Sequence, residues 1–394
     1  MRSALVTTKP AKFRDLRLDF FRGLSLFIIL VSHTRGDWLA NWIPARFGFS
    51  DAANMFVFVS GYAVGLAFGG VYRRRGWLLG TARVGLRIWQ LYLAQLCIVV
   101  AVAALAIGAD KWLGAADDHV ALLSLDWLFA DPRAALFGVA TLTYVPHYLD
   151  ILPVYMVVLA MVPVMVALAR LVHPLAVPVA SVLLWLAASH FGWNLPTEPG
   201  EPRGWFFDPF CWQLLFFSGF SLSMKWVKPP PYDRRIFWAA MAYLVVGVAL
   251  TVPAIFLNLP GLDVVETWVL AHADKTMLDP LQYLHFIASA YVAVYLLRGR
   301  LQLIQGAVAR PIVRCGQQSL SVFLSGILLA HIGGMAFDGL GTGPAAQLAL
   351  NAIGFGVTFA VAYGVAWIKS APWAGPAPAP KQDAPEGAMM AALD

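Results

Sequence analysis

Residues 146–169 read PHYLDILPVYMVVLAMVPVMVALA, and from Ile151 to Ala169 no position carries a charge. A helix that crosses a bilayer needs about 20 mainly apolar residues. A second apolar run, 174–191, follows after only the short turn from Arg170 to Pro174. Two such runs joined by a proline-stopped turn predict a helical hairpin of membrane length. The same window moved outward gives further apolar segments at 18–36, 51–70, 83–107, 206–225, 236–257, 280–297, 315–335 and 345–368. The expected fold is therefore an all-α polytopic membrane protein of about ten transmembrane helices.

Composition agrees. Of 394 residues, 60% are hydrophobic and 13% are charged, whereas an ordinary soluble domain has about a quarter charged. The 28 Lys+Arg and 22 Asp+Glu cannot cover the surface of two or three soluble domains. Cys97, Cys211 and Cys315 lie far apart, with no CxxC spacing. They predict neither a disulfide framework nor a thiolate site, and no HxxxH pairing suggests a metal. The apolar run 24–31 has no small-residue cleavage site after it, so no cleavable signal is expected.

Orientation follows from the basic residues. With a cytoplasmic N-terminus and alternating helices, 22 of 28 Lys+Arg fall inside. Outside remain Arg35, Arg46, Lys111, Arg133, Arg203 and Lys275, while 16 of 22 acids lie outside. Both termini are expected in the cytoplasm. The basic inner loops, including Arg73-Arg74-Arg75, read as topology and anionic-lipid contact rather than as nucleic-acid binding. Residues 1–13 and 371–394 are expected to be disordered cytoplasmic ends around one transmembrane domain, 14–370.

Ionisable residues inside spans are costly and usually face a polar interior. Arg22 and His33 are 11 residues apart, which places them about 20° from perfect alignment and about 16 Å apart along a helix. Asp19 lies on the same stripe. One face thus carries a cation near the inner surface and an imidazole near the outer one. Asp51 opens the second span in Ser50-Asp51-Ala52-Ala53-Asn54, as an N-cap and as a carboxylate entering on the side of His33. The same helix carries Gly61, Gly65 and Gly69 every fourth position, a close-packing face. His285, His331 and His147 lie at or within spans near Asp150, Lys275 and Asp279, and could line one outward chamber. Most outer aromatics fit an interfacial belt. Trp205-Phe206-Phe207-Asp208 instead sets rings and an acid at a helix entry.

The Arg-x10-His spacing of Arg22 and His33, after Leu16-Arg17-Leu18-Asp19-Phe20-Phe21, is similar to that of membrane acyltransferases that modify surface polysaccharides. More closely, the chain resembles the OpgC family from about 14 to 370. The likeness lies in Ser50 to Tyr62, Tyr148-Leu149-Asp150-Ile151-Leu152-Pro153, Trp205 to Phe217, Lys275 through His285-Phe286, and Cys315 to Phe323 with His331. The pattern departs at Gln317-Gln318-Ser319, where Arg-Asn-Ser is expected, and at Asp208, where Asn is expected.

The resemblance implies an O-acyltransferase of the bacterial inner membrane. Such an enzyme moves succinyl from cytoplasmic succinyl-CoA to glucose hydroxyls of osmoregulated periplasmic glucans, with no permanently bound cofactor. On that reading His33 is the general base and Asp51 its orienting acid. Arg22, Asp19, Arg83 and Arg87 belong to the donor side. Lys275, His285, Asp150, Asp279, Trp205 and His331 belong to the acceptor and oxyanion side. Its partners are the glucan and membrane lipid. A secondary transporter of an acidic or sugar-linked solute is the rival, although no internal repeat is visible.

Overall fold

The structure is a computed structural model that describes residues 15–113, 118–198, 204–258 and 261–374. Of the expected ends 1–13 and 371–394, residues 1–13 and 375–394 lie outside the described residues, while Pro372–Ala374 forms a short 3-10 turn. Ten principal helices carry the fold. They are α1 (Leu16–His33), α2 (Ala52–Gly108), α3 (Ile151–Leu171), α4 (Ala176–Phe191), α5 (Pro209–Ser223), α6 (Arg234–Thr251), α7 (Pro280–Leu296), α8 (Ala309–Gln317), α9 (Ser319–Leu340) and α10 (Pro344–Lys369). Shorter helices fill the segments between them, and no named strand occurs among the described residues.

Every apolar segment predicted from the sequence lies on this helical framework. Five helical stretches are long and apolar enough to cross a membrane: Ala52–Lys111, Ile151–Leu171, Arg234–Thr251, Ser319–Leu340 and Pro344–Ala374. Other expected spans fall short of that standard for definite reasons. The α1 helix carries Arg17, Asp19 and Arg22, while α5 and α7 have 15 and 17 residues. At 1.5 Å per residue, α5 is only about 22 Å long. The exterior is apolar: only 11% of the most hydropathic window of α6 or of the α10 stretch is buried within the molecule. A surface of that kind suits lipid and not water.

The α2 helix holds two predicted spans. Its line breaks at Gly76 (φ 86°, ψ 176°), a left-handed conformation that a side chain would strain. The α3 helix braces the turn: Trp77 Nε1 donates to the Pro163 carbonyl at 2.9 Å, and Arg170 donates to the Tyr72 carbonyl.

At the centre lies α5, with Cys211, Trp212, Leu215, Phe216, Phe217 and Phe220 fully buried. It packs against α2 through the predicted glycine face. A Cβ on Gly61 would collide with the Phe216 carbonyl, and one on Gly219 with the Phe58 carbonyl. The small residues therefore permit backbone-to-backbone approach. A second close crossing joins α1 to α8, where Gly23 meets Ile312 and Gly316 meets Asp19.

Candidate functional site

Two cavities follow the seam between α1 and α2. The larger, about 520 Å³, is lined by His33, Asp51, Asp150, Lys275, Tyr148 and Phe323 among others. The smaller, about 150 Å³, is lined by Arg22, Arg87, Phe56, Ser60, Tyr155 and Phe323 among others. The predicted stripe on α1 thus connects them, with Arg22 in one cavity and His33 in the other.

Asp51 is the N-cap that its position predicts. Its Oδ1 accepts the amides of Ala53 at 2.9 Å and Asn54 at 3.3 Å. Asn54 Oδ1 in return accepts the Asp51 amide at 2.9 Å, completing a reciprocal box. Asp51 Oδ2 forms an ion pair with Lys275 Nζ. Lys275 also sits 5.6 Å from each of the Phe206 and Phe207 ring centres, where a cation is attracted to the ring faces. Among the described residues no hydrogen bond joins Asp51 to His33. The Asp51 carboxylate is shared between a helix terminus and Lys275. His33 lines the same chamber as Asp51 and Lys275. Its Nδ1 is buried without a hydrogen-bond partner.

Tyr148 is the residue that residue-by-residue reading underweights. Its ring centre lies 5.1 Å from that of His33, 6.2 Å from His331 and 6.4 Å from His147, with edge-on geometry in each case. Its φ of 66° is unusual for a bulky residue. The flanking chain is held by Gln95, whose Nε2 donates to the Leu149 carbonyl at 3.0 Å. The signal available in sequence is Tyr148-Leu149-Asp150, directly after His147 and immediately before α3. Asp150 lines the chamber at the start of that helix.

Four other expected site residues, His285, Asp279, Trp205 and His331, are not themselves walls of the chamber. His285 is buried below the chamber rim, with Nδ1 at 2.7 Å from Ser50 Oγ and its ring against Phe49 and Tyr243. A Cβ at Gly48 or Gly247 would strike the ring, so His285 fills a slot shaped around it and buckles the loop leading to Asp51. Asp279 caps α7, accepting the Leu281 amide at 2.7 Å. Trp205 is buried, with Nε1 donating to the Pro196 carbonyl at 2.8 Å, while its neighbours Phe206 and Phe207 line the chamber. His331 is buried beside Tyr148. Another outer histidine, His119, is held between Asp110 at 2.7 Å and Asp338 at 3.2 Å. The side chain of His272 lies outside the described residues.

Of the residues expected on the donor side, Arg22 donates to the Val59 carbonyl of α2 at 3.2 Å. Arg83 lies 5.8 Å from the ring centre of Phe68, itself a wall of the Arg22 cavity. Asp19 is buried and accepts a hydrogen bond from Gln317 Nε2 at 3.4 Å, so it faces α8 and is not a wall of that cavity. Gln317 belongs to the segment that departs from the expected pattern. No group of three or more His, Cys, Asp or Glu suited to a metal ion occurs among the described residues.

The family model described as OpgC protein matches residues 14–370, and the chain belongs to that family. Membership implies an acyltransferase role in glucan modification. No curated protein and no solved structure matches the chain.

Proposed function

We propose that the protein transfers a succinyl group from cytoplasmic succinyl-CoA to a glucose hydroxyl of a periplasmic glucan. In this reading it crosses the bacterial inner membrane ten times, with both termini in the cytoplasm. Family membership supplies the reaction class. The observation that carries the reading further is the placement of Arg22 and His33 in two cavities along one helix seam. The axial span of about 16 Å between them suits an extended thioester arm entering from one side and reacting at the other.

A sugar hydroxyl is a weak nucleophile at neutral pH and needs a base within hydrogen-bond reach. His33 takes the hydroxyl proton as the oxygen attacks the thioester carbonyl. The tetrahedral intermediate collapses with cleavage of the carbon–sulfur bond. The imidazolium returns its proton to the departing CoA thiolate, leaving an ester on the glucan. Lys275 offers the oxyanion a cationic donor. Asp51 acts through its charge and through Lys275. Arg22 and Arg87 hold the anionic donor by charge-assisted contacts, with Arg83 at the cavity edge.

The decisive measurement uses the purified full chain in proteoliposomes, with succinyl-CoA on one face and linear or cyclic glucan on the other. Labelled succinyl esters on the glucan are expected. Net movement of a solute with no ester formed would overturn the reading in favour of a transporter.

A further inference from the structure

The His33 chamber and the Arg22 cavity are lined by the same helices and meet at one side chain. Phe323 of α9 borders both. On α2 the chamber reaches Ala53 and the Arg22 cavity begins at Phe56, a separation of about 4.5 Å of helix rise. On α3 the adjacent residues Ile151 and Leu152 divide between the two. The septum is thus about one helical turn thick at α2 and α3, widening on α1 to the six-residue step from Arg22 to Ile28.

Two rings close it. Phe56 and Phe323 stack with centres 6.0 Å apart and planes 25° from parallel. Both are buried, at 8% and 5% exposure. Behind Phe56, Ser60, Ala63 and Ala67 line the Arg22 cavity at helical spacing. Their small side chains leave a shallow groove along α2 that ends against the rings. An aromatic pair contributes only about 0.5–1.5 kcal/mol beyond the area it buries. Each ring turns about two side-chain torsions, so the stack seals the septum without locking it.

We propose that Phe56 and Phe323 form the gate between the two cavities, and that the width they leave determines which acyl groups reach His33. The passage of an acyl arm rests on the function proposed above; closure of the septum does not. A closed apolar stack keeps water and ions from crossing when no donor is present. It also shields the thioester carbonyl from hydrolysis until the arm displaces a ring.

The gate is tested first without reference to catalysis. The full chain carrying Cys97→Ser is reconstituted in vesicles with a single reporter, Ser32→Cys in the chamber or Ser319→Cys in the Arg22 cavity. A membrane-impermeant, charged methanethiosulfonate is then applied to one face at a time. Each reporter is expected to react from a single face, opposite for the two. Phe323→Ala is expected to make both reactive from either face, as is Phe56→Ala. Phe323→Leu, which keeps most of the volume, is expected to stay closed and folded. Reporters that remain one-sided in both alanine variants overturn the gate.

The second arm measures donor selectivity. Phe323→Ala should raise kcat/KM for a bulkier dicarboxylic acyl-CoA relative to succinyl-CoA by roughly 10-fold, the scale of a few removed contacts in a fitted pocket. Phe323→Trp should lower kcat while leaving the donor KM within about 2-fold, because Arg22 and Arg87 are unchanged. Unchanged selectivity in both variants overturns the role in acyl choice. Two-sided labelling in protein that transfers no acyl group supports the gate and overturns the proposed reaction.

Discussion

The two carboxylate oxygens of Asp51 have separate partners: Oδ2 pairs with Lys275, and Oδ1 caps α2. A residue on the loop before α7 is thereby fastened to the terminus of a helix 224 positions earlier in the chain. The pair brings a cation into the chamber that His33 lines, and the carboxylate sits at the positive end of the α2 dipole.

Asp51→Asn separates these roles. Asn caps a helix about as well as Asp, so unfolding in detergent should lose only the ion pair with Lys275, up to about 1 kcal/mol. Succinyl transfer should nevertheless fall by roughly 10- to 100-fold, because Lys275 loses its counter-charge at the reacting centre. Asp51→Ala should show the same loss of rate and be less stable than Asp51→Asn by about a further 1 kcal/mol, the cost of a lost cap.

His33→Gln should insert and fold, since the buried face of α1 is built from Asp19, Gly23, Ser25, Leu26, Leu30 and Val31. Transfer should drop by about 10²- to 10⁴-fold, the usual contribution of a positioned base. Mass analysis of glucan exposed to the variant provides the readout. Full succinylation by correctly inserted protein would remove His33 from its role.

Tyr148 contacts His33 through its ring, and its hydroxyl makes no hydrogen bond among the described residues. Tyr148→Phe should therefore keep transfer within about 2-fold, whereas Tyr148→Ala should lower it by about 10-fold through loss of imidazole positioning. Comparison of kcat with acceptor KM distinguishes positioning from glucan binding. Equal losses in the two variants would assign the effect to the hydroxyl instead.

Gly61→Ala and Gly85→Ala make a matched pair. A Cβ at Gly61 meets the Phe216 backbone, while nothing lies within 4 Å of one at Gly85. The first should destabilise the protein by about 1–3 kcal/mol through overpacking. The second should be neutral or stabilising by up to about 1 kcal/mol, because alanine is the better helix former. Thermal unfolding of the two variants in one detergent decides the matter.

These cases show what sequence could and could not reveal. The apolar segments, the stripe from Arg22 to His33, the Asp51 cap and the Gly61 packing face are properties of single helices, and helical periodicity exposes them. Which helices face each other is not periodic. His285 lies at the depth expected of a chamber residue, yet its ring turns into the slot between Gly48 and Gly247. Trp205 and Phe206 are adjacent, but one is buried in its own loop and the other lines the chamber. Tyr148 depends on a left-handed backbone that only the folded surroundings maintain. The pairing of Asp51 with Lys275 is likewise invisible along the chain, because it is created by tertiary docking.

The thin septum at Phe56 and Phe323 bears on how a membrane voltage is felt inside the protein. Where two hydrated cavities approach from opposite sides, the potential falls mainly across the barrier between them rather than evenly over the bilayer's hydrocarbon core, about 30 Å thick. In the proposed reaction a succinyl group carries its own negative charge through that barrier. With the cell interior negative, outward passage is downhill by up to about 2.3 kcal/mol per 100 mV. In the proposed orientation, one helical turn makes acyl delivery an electrogenic step, and membrane polarisation draws the donor's charged end toward His33.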